Sequence, residues 1–192
     1  MKSEKEILKA ILDKVINPKR EYRNQAAEEI MSQPKLFSSL ISLVYENHKK
    51  YSKKAAWSLE WISKERLDFV YENIDLFLEK IQEPKEDSIV RPLAKVCELL
   101  AFDYYKKKGK TELKEEQIEK IVEACFDWLI SDRKVAVEAY SMQTLFIFRK
   151  KADWIEEELV NILEKNMPTG SAGYKARGRR ILEQIEIEKE LQ

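Results

Sequence analysis

Histidine, cysteine, glycine and proline are scarce in this chain of 192 residues, and each scarcity excludes a class of structure or site. One histidine, His48, and two separated cysteines, Cys97 and Cys125, supply neither a CxxC pair nor the ligands of a zinc site. Both cysteines lie inside apolar helical patterns, so we expect reduced core thiols and no disulfide framework. Only 4 glycines and 5 prolines interrupt the chain, which favours long helices.

The single histidine also leaves little basis for nucleophilic catalysis. A Ser-His-Asp or Cys-His arrangement would depend on His48, which stands before Lys49 and Lys50 at the end of an expected helix. A cation beside the negative end of the helix dipole accounts for that position without catalysis. We therefore expect no catalytic residues, no bound metal and no cofactor.

Long apolar runs and an excess of charge of one sign are absent as well. No run approaches the roughly 20 residues that cross a bilayer, and the first residues are charged where a signal peptide needs an apolar core. The 35 lysines and arginines balance 35 aspartates and glutamates, so nucleic-acid binding would require a local basic patch. These features predict a cytoplasmic protein without a membrane partner.

Residues that favour helix are abundant instead. Charged residues make up 36% of the chain and hydrophobic ones 44%, and the apolar residues recur three and four apart throughout. The apolar stripes are broad, as expected for helices that lie between neighbours, and no stretch alternates as a strand does. About ten helices are predicted, over 4–16, 18–32, 35–48, 51–63, 66–82, 88–107, 114–130, 133–149, 152–165 and 172–190.

A weak internal repeat places these helices in pairs. A basic or small residue is followed three positions later by a small one, which would allow close approach of stacked helices. The five instances begin at Arg23, Lys53, Arg91, Ala136 and Lys175. Each helix that carries the pattern, except the last, precedes a partner helix. We therefore predict an all-α, right-handed solenoid of about five hairpin units, forming one domain over 1–192.

Two segments resemble the first helix of a HEAT repeat, in which an aspartate precedes a valine–arginine pair. They are Asp87–Ala94 (DSIVRPLA) and, more loosely, Asp132–Ala136 (DRKVA). Together with AAWSLE at 55–60 and CFDW at 125–128, they make the chain similar to small bacterial HEAT-like proteins of armadillo type that have no assigned role. This resemblance implies the fold, whereas function has to be read from surface residues.

The first functional hypothesis is a non-enzymatic module that binds a protein or peptide. The concave face of a solenoid is expected to be lined by the second helices of the hairpins, here 66–82, 114–130 and 152–165. Aromatic side chains dominate binding hot spots. The candidate anchors on those helices are Tyr71, Phe77, Trp128 and Trp154.

Trp57, Glu60 and Trp61 share one helix face, and Trp128 and Asp132 are also four residues apart. This arrangement resembles the HEAT-like alkylpurine DNA glycosylases. The resemblance implies that the tryptophans wall a damaged base while Glu60 or Asp132 stabilises its charge. The alternative is structural, because aromatic residues at helical spacing usually belong to the core.

A second hypothesis is nucleic-acid binding, and its most concentrated cations open the last helix. Lys175, Arg177 and Arg179 would contact phosphates, or would form the polar outer face of a capping helix. The hypothesis requires dispersed cations to converge in space. Those cations are Lys53, Lys54, Arg91, Lys95, Arg133, Lys134, Lys175, Arg177 and Arg179. The preceding GSAG segment at 170–173 is expected to turn the chain and cap that helix.

Overall fold

The computed structural model of the protein describes residues 3–131 and 133–191, which form eleven α-helices and no strand. A short 3₁₀ turn, Arg149–Lys151, separates the ninth helix from the tenth. The helices are α1 (Glu4–Asp13), α2 (Arg20–Met31), α3 (Leu36–Tyr45), α4 (Ser52–Glu65), α5 (Asp68–Glu72), α6 (Ile74–Glu79), α7 (Asp87–Lys106), α8 (Glu115–Ile130), α9 (Val135–Phe148), α10 (Asp153–Asn166) and α11 (Ala172–Glu190). The predicted all-α class is confirmed.

All predicted boundaries lie within three residues of the observed ones, one predicted helix is divided in two, and the main differences have local causes. The predicted helix 66–82 is two helices, because Asn73 leaves the helical conformation and its side-chain amide donates to the carbonyl of Phe69 at 2.9 Å. The backbone N–H of Lys19 donates to Asn17 Oδ1, so α2 begins only at Arg20. Asn47 has a φ of 52°, and the helix before it ends at Tyr45.

The chain divides into two compact units, 1–99 and 100–192, with the division inside α7. In the first unit α2 packs along α4, while α3 packs against α1, α4 and α6. Leu12, Leu40, Leu59 and Phe77 are fully buried between these helices. The order of contacts matches two stacked hairpins, α2–α3 and α4 with α5–α6. We call α2, α4, α7, α9 and α11 the first helices, and α3, α5–α6, α8 and α10 the second helices.

The second unit is organised around α9. This helix is apolar on every side because α8, α10 and α11 all pack against it. Phe148 at its end is fully buried and meets the edge of Tyr104, with ring centroids 5.2 Å apart. The predicted stacking of first helices is confirmed within each unit, by α2 on α4 and by α11 on α9.

The final helix starts where the sequence predicts. Ser171 accepts a hydrogen bond from the backbone N–H of Tyr174 and caps α11. Both cysteines are free and buried, as expected for core thiols. Within residues 3–131 and 133–191, no helix is both long and apolar enough to cross a membrane.

Candidate functional site

Two tryptophans lie one turn apart at the surface of α4. The opposite side of this helix is fixed in the core by Ala55, Ala56 and Leu59, all of which are completely buried. That packing leaves Trp57 and Trp61 on the edge of the helix, each partly exposed to solvent. We call the surface formed by Arg23, Lys53, Trp57, Glu60, Trp61 and Arg91 the tryptophan face.

Cations from two helices border the Trp57 indole. The guanidinium carbon of Arg23, on α2, and Nζ of Lys53, one turn earlier on α4, each lie 5.5 Å from its ring centroid. Nζ of Lys64 lies 5.9 Å from the ring of Trp61. Contacts of this kind contribute about 0.5–1 kcal/mol at exposed sites. They keep the indoles oriented while leaving part of each ring open.

Glu60 lies between the two tryptophans and is itself nearly buried, with 7% of its surface exposed. Its two carboxylate oxygens accept from Lys64 Nζ at 2.8 Å and from Arg91 Nη2 at 2.7 Å. Burial opposes ionisation of this carboxyl, but the hydrogen bonds from both cations outweigh it and hold the pKa of Glu60 below its ordinary value. The structure thus brings together four predicted residues: Trp57, Glu60, Trp61 and Arg91.

Several cations expected to converge for nucleic acid are already engaged in the first unit. Arg91 is paired with Glu60, and Lys95 with Glu98 at 2.5 Å. Nζ of Lys54 points to the end of α1, where it donates to the carbonyl of Leu12 at 3.1 Å, and partial burial lowers its pKa. These three cations are therefore engaged within the protein. Only Lys53 is exposed and, within the described part of the chain, has no acidic partner.

The basic residues of α11 separate into two groups in the second unit. Arg177 donates to Gln143 Oε1 on α9 at 2.7 Å, and with Arg180 it borders a shallow groove of about 450 Å³. The floor of this groove is made of small and apolar residues, Val135, Ala136, Ala139, Gly173 and Ala176. Lys175 and Arg179 are on the same helix but do not line the groove. Arg133 and Lys134 stand just before α9.

The aromatic anchors predicted on the second helices are mostly unavailable. Phe77 is fully buried and Trp128 is 2% exposed, because both lie on the core side of their helices. The expectation that these two are surface anchors is wrong. Trp154 is 52% exposed and lies 5.5 Å from Phe126, between ring centroids, and Tyr71 is partly exposed.

The structure does not support the roles that the resemblance to DNA glycosylases implies for Trp128 and Glu60. The buried indole of Trp128 offers no surface for a base. Both oxygens of Glu60 are bound by cations, and Asp132 lies outside the residues that the structure describes. Among the described residues no group of His, Cys, Asp and Glu has the arrangement of a metal site.

Arg23 is the member of the tryptophan face that was not a predicted site residue. Its signal was present in the sequence, since Arg23, Lys53 and Arg91 each begin an instance of the internal repeat. The structure places all three on this one face, where Arg23 and Lys53 contact Trp57 and Arg91 contacts Glu60. The basic position of the repeat was therefore the better guide to the site.

Comparison with known families matches residues 9–185 to the HEAT repeat domain. The chain belongs to the HEAT repeat family. Among solved structures, it is similar to the designed armadillo repeat protein YIII(Dq)4CqI, with 14% identity, a TM-score of 0.55, and coverage of 92% of this chain and 81% of that one. An engineered protein aligns at 14% identity over 94% of this chain and 96% of its own, with a TM-score of only 0.43. No curated protein matches the sequence.

The HEAT assignment confirms the resemblance carried by the DSIVRPLA segment and the solenoid class of the fold. HEAT and armadillo repeats typically mediate protein interactions, and the repeat fold of this chain is consistent with such a module. At 14% identity the structural similarity concerns the fold alone. Any more specific function depends on the side chains described above.

Proposed function

We propose that this HEAT repeat protein is a non-enzymatic module that binds a protein or peptide segment through the tryptophan face. The observation that carries the proposal is the partial exposure of Trp57 and Trp61 one turn apart, with cations already stacked on their rings. Tryptophan and arginine are the residues most enriched in binding hot spots. Indoles that are already held in place also lose little side-chain entropy when a partner binds.

The chemistry of Glu60 supports binding over catalysis. A general acid at neutral pH needs a raised carboxyl pKa, whereas the cations around Glu60 lower its pKa. Lys64 and Arg91 occupy the oxygens that a base or a substrate would otherwise meet. Glu60 acts instead as an ion-pair bridge between α4 and α7 through Arg91.

Affinity purification from the native host tests this proposal. The bait is the full chain, compared with a variant that carries Trp57→Ala and Trp61→Ala. We expect a specific protein to be retained by the unaltered chain and lost from the double variant. The matched control is Tyr105→Ala, which removes an exposed aromatic side chain that is not part of this face and should leave retention unchanged. Equal retention by the double variant would refute a binding role for this face.

A second candidate, nucleic-acid binding, is supported by α11 in the other unit. Lys175, Arg179 and Arg180 have no acidic partner within the described ranges. These cations supply a small number of phosphate contacts, and affinity from such contacts falls steeply with salt. Titration of duplex DNA at rising salt concentration, with Lys175→Ala and Arg179→Ala together as the comparison, separates the candidates. The absence of measurable affinity at low salt would eliminate this one.

A further inference from the structure

The charges of the tryptophan face are unevenly neutralised. Lys64 and Arg91 are paired with Glu60, and Lys95 beside them is paired with Glu98. Arg23 and Lys53, which border Trp57, have no carboxylate within 4 Å among the residues of the described ranges. The N-terminal side of this face therefore carries positive charge that the protein itself does not balance.

Arg20 extends this unbalanced charge along α2. It lies one turn before Arg23, is exposed, and likewise has no acidic partner in the described part of the protein. Nε of Arg23 is buried without a hydrogen-bond partner. The guanidinium is therefore held by its contact with the Trp57 ring and not by a hydrogen bond to an acceptor. The partly exposed side chain of Arg23 has no carboxylate partner in the described ranges, and an acidic ligand would supply one.

The number and distribution of these charges favour a peptide over a nucleic acid. Proteins with strong affinity for duplex DNA neutralise on the order of 6–10 phosphates, whereas this face offers three cations with no acidic partner. Glu60 and Glu98 pair with the cations on the α7 side of the face, so no further unpaired cations among the described residues extend the basic surface there. A peptide carries its charges singly, so its carboxylates can meet Arg20, Arg23 and Lys53 while avoiding Glu60.

The two cations beside Trp57 also indicate which kind of side chain should accompany the carboxylates of the ligand. Arg23 and Lys53 lie at the same 5.5 Å distance from one indole. An apolar or aromatic side chain placed on that ring would bring flanking carboxylates to both cations. Charge-assisted pairs of arginine with carboxylate are stronger than neutral hydrogen bonds and fix orientation.

We propose that the segment recognised by the tryptophan face is an acidic peptide, with an apolar or aromatic side chain on Trp57 and carboxylates on Arg20, Arg23 and Lys53. This inference rests on the proposed function and adds the chemistry of the partner. The carboxylates of the peptide approach from the α2 side of the face. On the other side, Arg91 and Lys95 keep their ion pairs with Glu60 and Glu98.

Selection of a random twelve-residue peptide display library on the immobilised full chain tests the inference. We expect the enriched peptides to contain more aspartate and glutamate than lysine and arginine, around at least one aromatic or aliphatic residue. A labelled peptide from this set is then titrated by fluorescence anisotropy. Arg23→Ala and Lys53→Ala, made separately, should each weaken its affinity by about tenfold, as expected for loss of one charged hydrogen bond.

The control is a variant with Lys120→Ala and Lys165→Ala, which removes exposed cations from the second helices α8 and α10 and should bind as the unaltered chain does. Peptides that are neutral or basic but still need Trp57 would overturn the acidic partner and leave the proposed function standing. Peptides that bind equally well to Trp57→Ala would overturn both. Displacement of the selected peptide by oligodeoxythymidine at lower concentration than by unlabelled peptide would also refute the acidic-peptide inference.

Discussion

Glu60 shows what a single buried carboxylate contributes to this protein. It joins α4 to α7 through its ion pair with Arg91, and it also pairs with Lys64, which lies against the Trp61 ring. The partners keep 36% and 30% of their side-chain surface exposed, so the pairs are partly screened by solvent. Its main effect is to satisfy these cations and orient the face, with a moderate effect on stability.

Replacing Glu60 with glutamine should lower the free energy of unfolding at neutral pH by about 1–3 kcal/mol, the cost of leaving charged partners unsatisfied. The pKa of Glu60 in the folded state is below its ordinary value of 4.5, so this contribution is complete above that pH. It is lost as pH falls through the lower, folded-state pKa. The gap between the two proteins, measured by urea unfolding at a series of pH values, should therefore narrow on acidification.

Glu28→Gln provides the comparison, because Glu28 is exposed on α2 and has no ion-pair partner in the described part of the chain. The Glu28→Gln substitution should change the free energy of unfolding by less than about 0.5 kcal/mol at every pH. A gap between Glu60→Gln and the unaltered chain that widens below pH 4.5 would contradict the assigned direction of the pKa shift.

At the scale of helices, the ends are determined by side chains that compete for backbone groups. Asn73 divides one expected helix into α5 and α6, and Asn17 delays the start of α2. Ser171 has the opposite effect, since its hydroxyl accepts from the N–H of Tyr174 and starts α11. This helix then lies along α9, closing the second unit.

Substitution of Ser171 with alanine should destabilise α11 by about 1 kcal/mol, because a backbone donor in its first turn loses its acceptor. A loss of this size lowers the melting temperature by about 2–4 °C in a chain of this length. Thermal unfolding followed by circular dichroism measures the change. Ser171→Asp keeps an acceptor at the cap and should melt close to the unaltered chain. If the alanine and aspartate variants melt alike, the cap has no energetic role.

At the scale of the whole molecule, α7 links the two compact units. The division between 99 and 100 falls within this helix, where Val96 and Cys97 on one side and Leu100 and Ala101 on the other are all fully buried. Melting α7 would therefore remove core residues from both units. We propose on this basis that 1–192 unfolds as one cooperative domain, in keeping with the nearest-neighbour coupling of repeat proteins.

The two cysteine thiols can show whether the units unfold together, since Cys97 is in the first unit and Cys125 in the second. Both are 0% exposed, so neither should react with a thiol reagent in native buffer. In a urea series, pulse alkylation followed by mass spectrometry should show both becoming reactive over the same range. Reaction of Cys125 at clearly lower urea than Cys97, or the reverse, would show that the units unfold separately.

The sequence by itself determined the helices, their pairing and their family. Three- and four-residue spacing, few glycines and prolines, and a basic–small repeat are local features, and the hydrogen bonds of a helix join residues four apart. For the same reason the sequence placed α4, α7 and α11 to within two residues. The start of α2 after Asn17 was predicted two residues early and the break at Asn73 was missed, because an asparagine side chain competes with the backbone in ways that periodicity does not reveal.

Only the tertiary structure decided which of these side chains face solvent and which cations remain available. Trp57 and Trp128 occupy similar apolar patterns, yet one is at the surface and the other is buried, because each depends on the helices packed beside it. Arg91 and Lys53 begin the same repeat, but Glu60 neutralises only the first. Exposure and charge pairing depend on residues about 30 positions or more away in the chain, so no local pattern could have separated them.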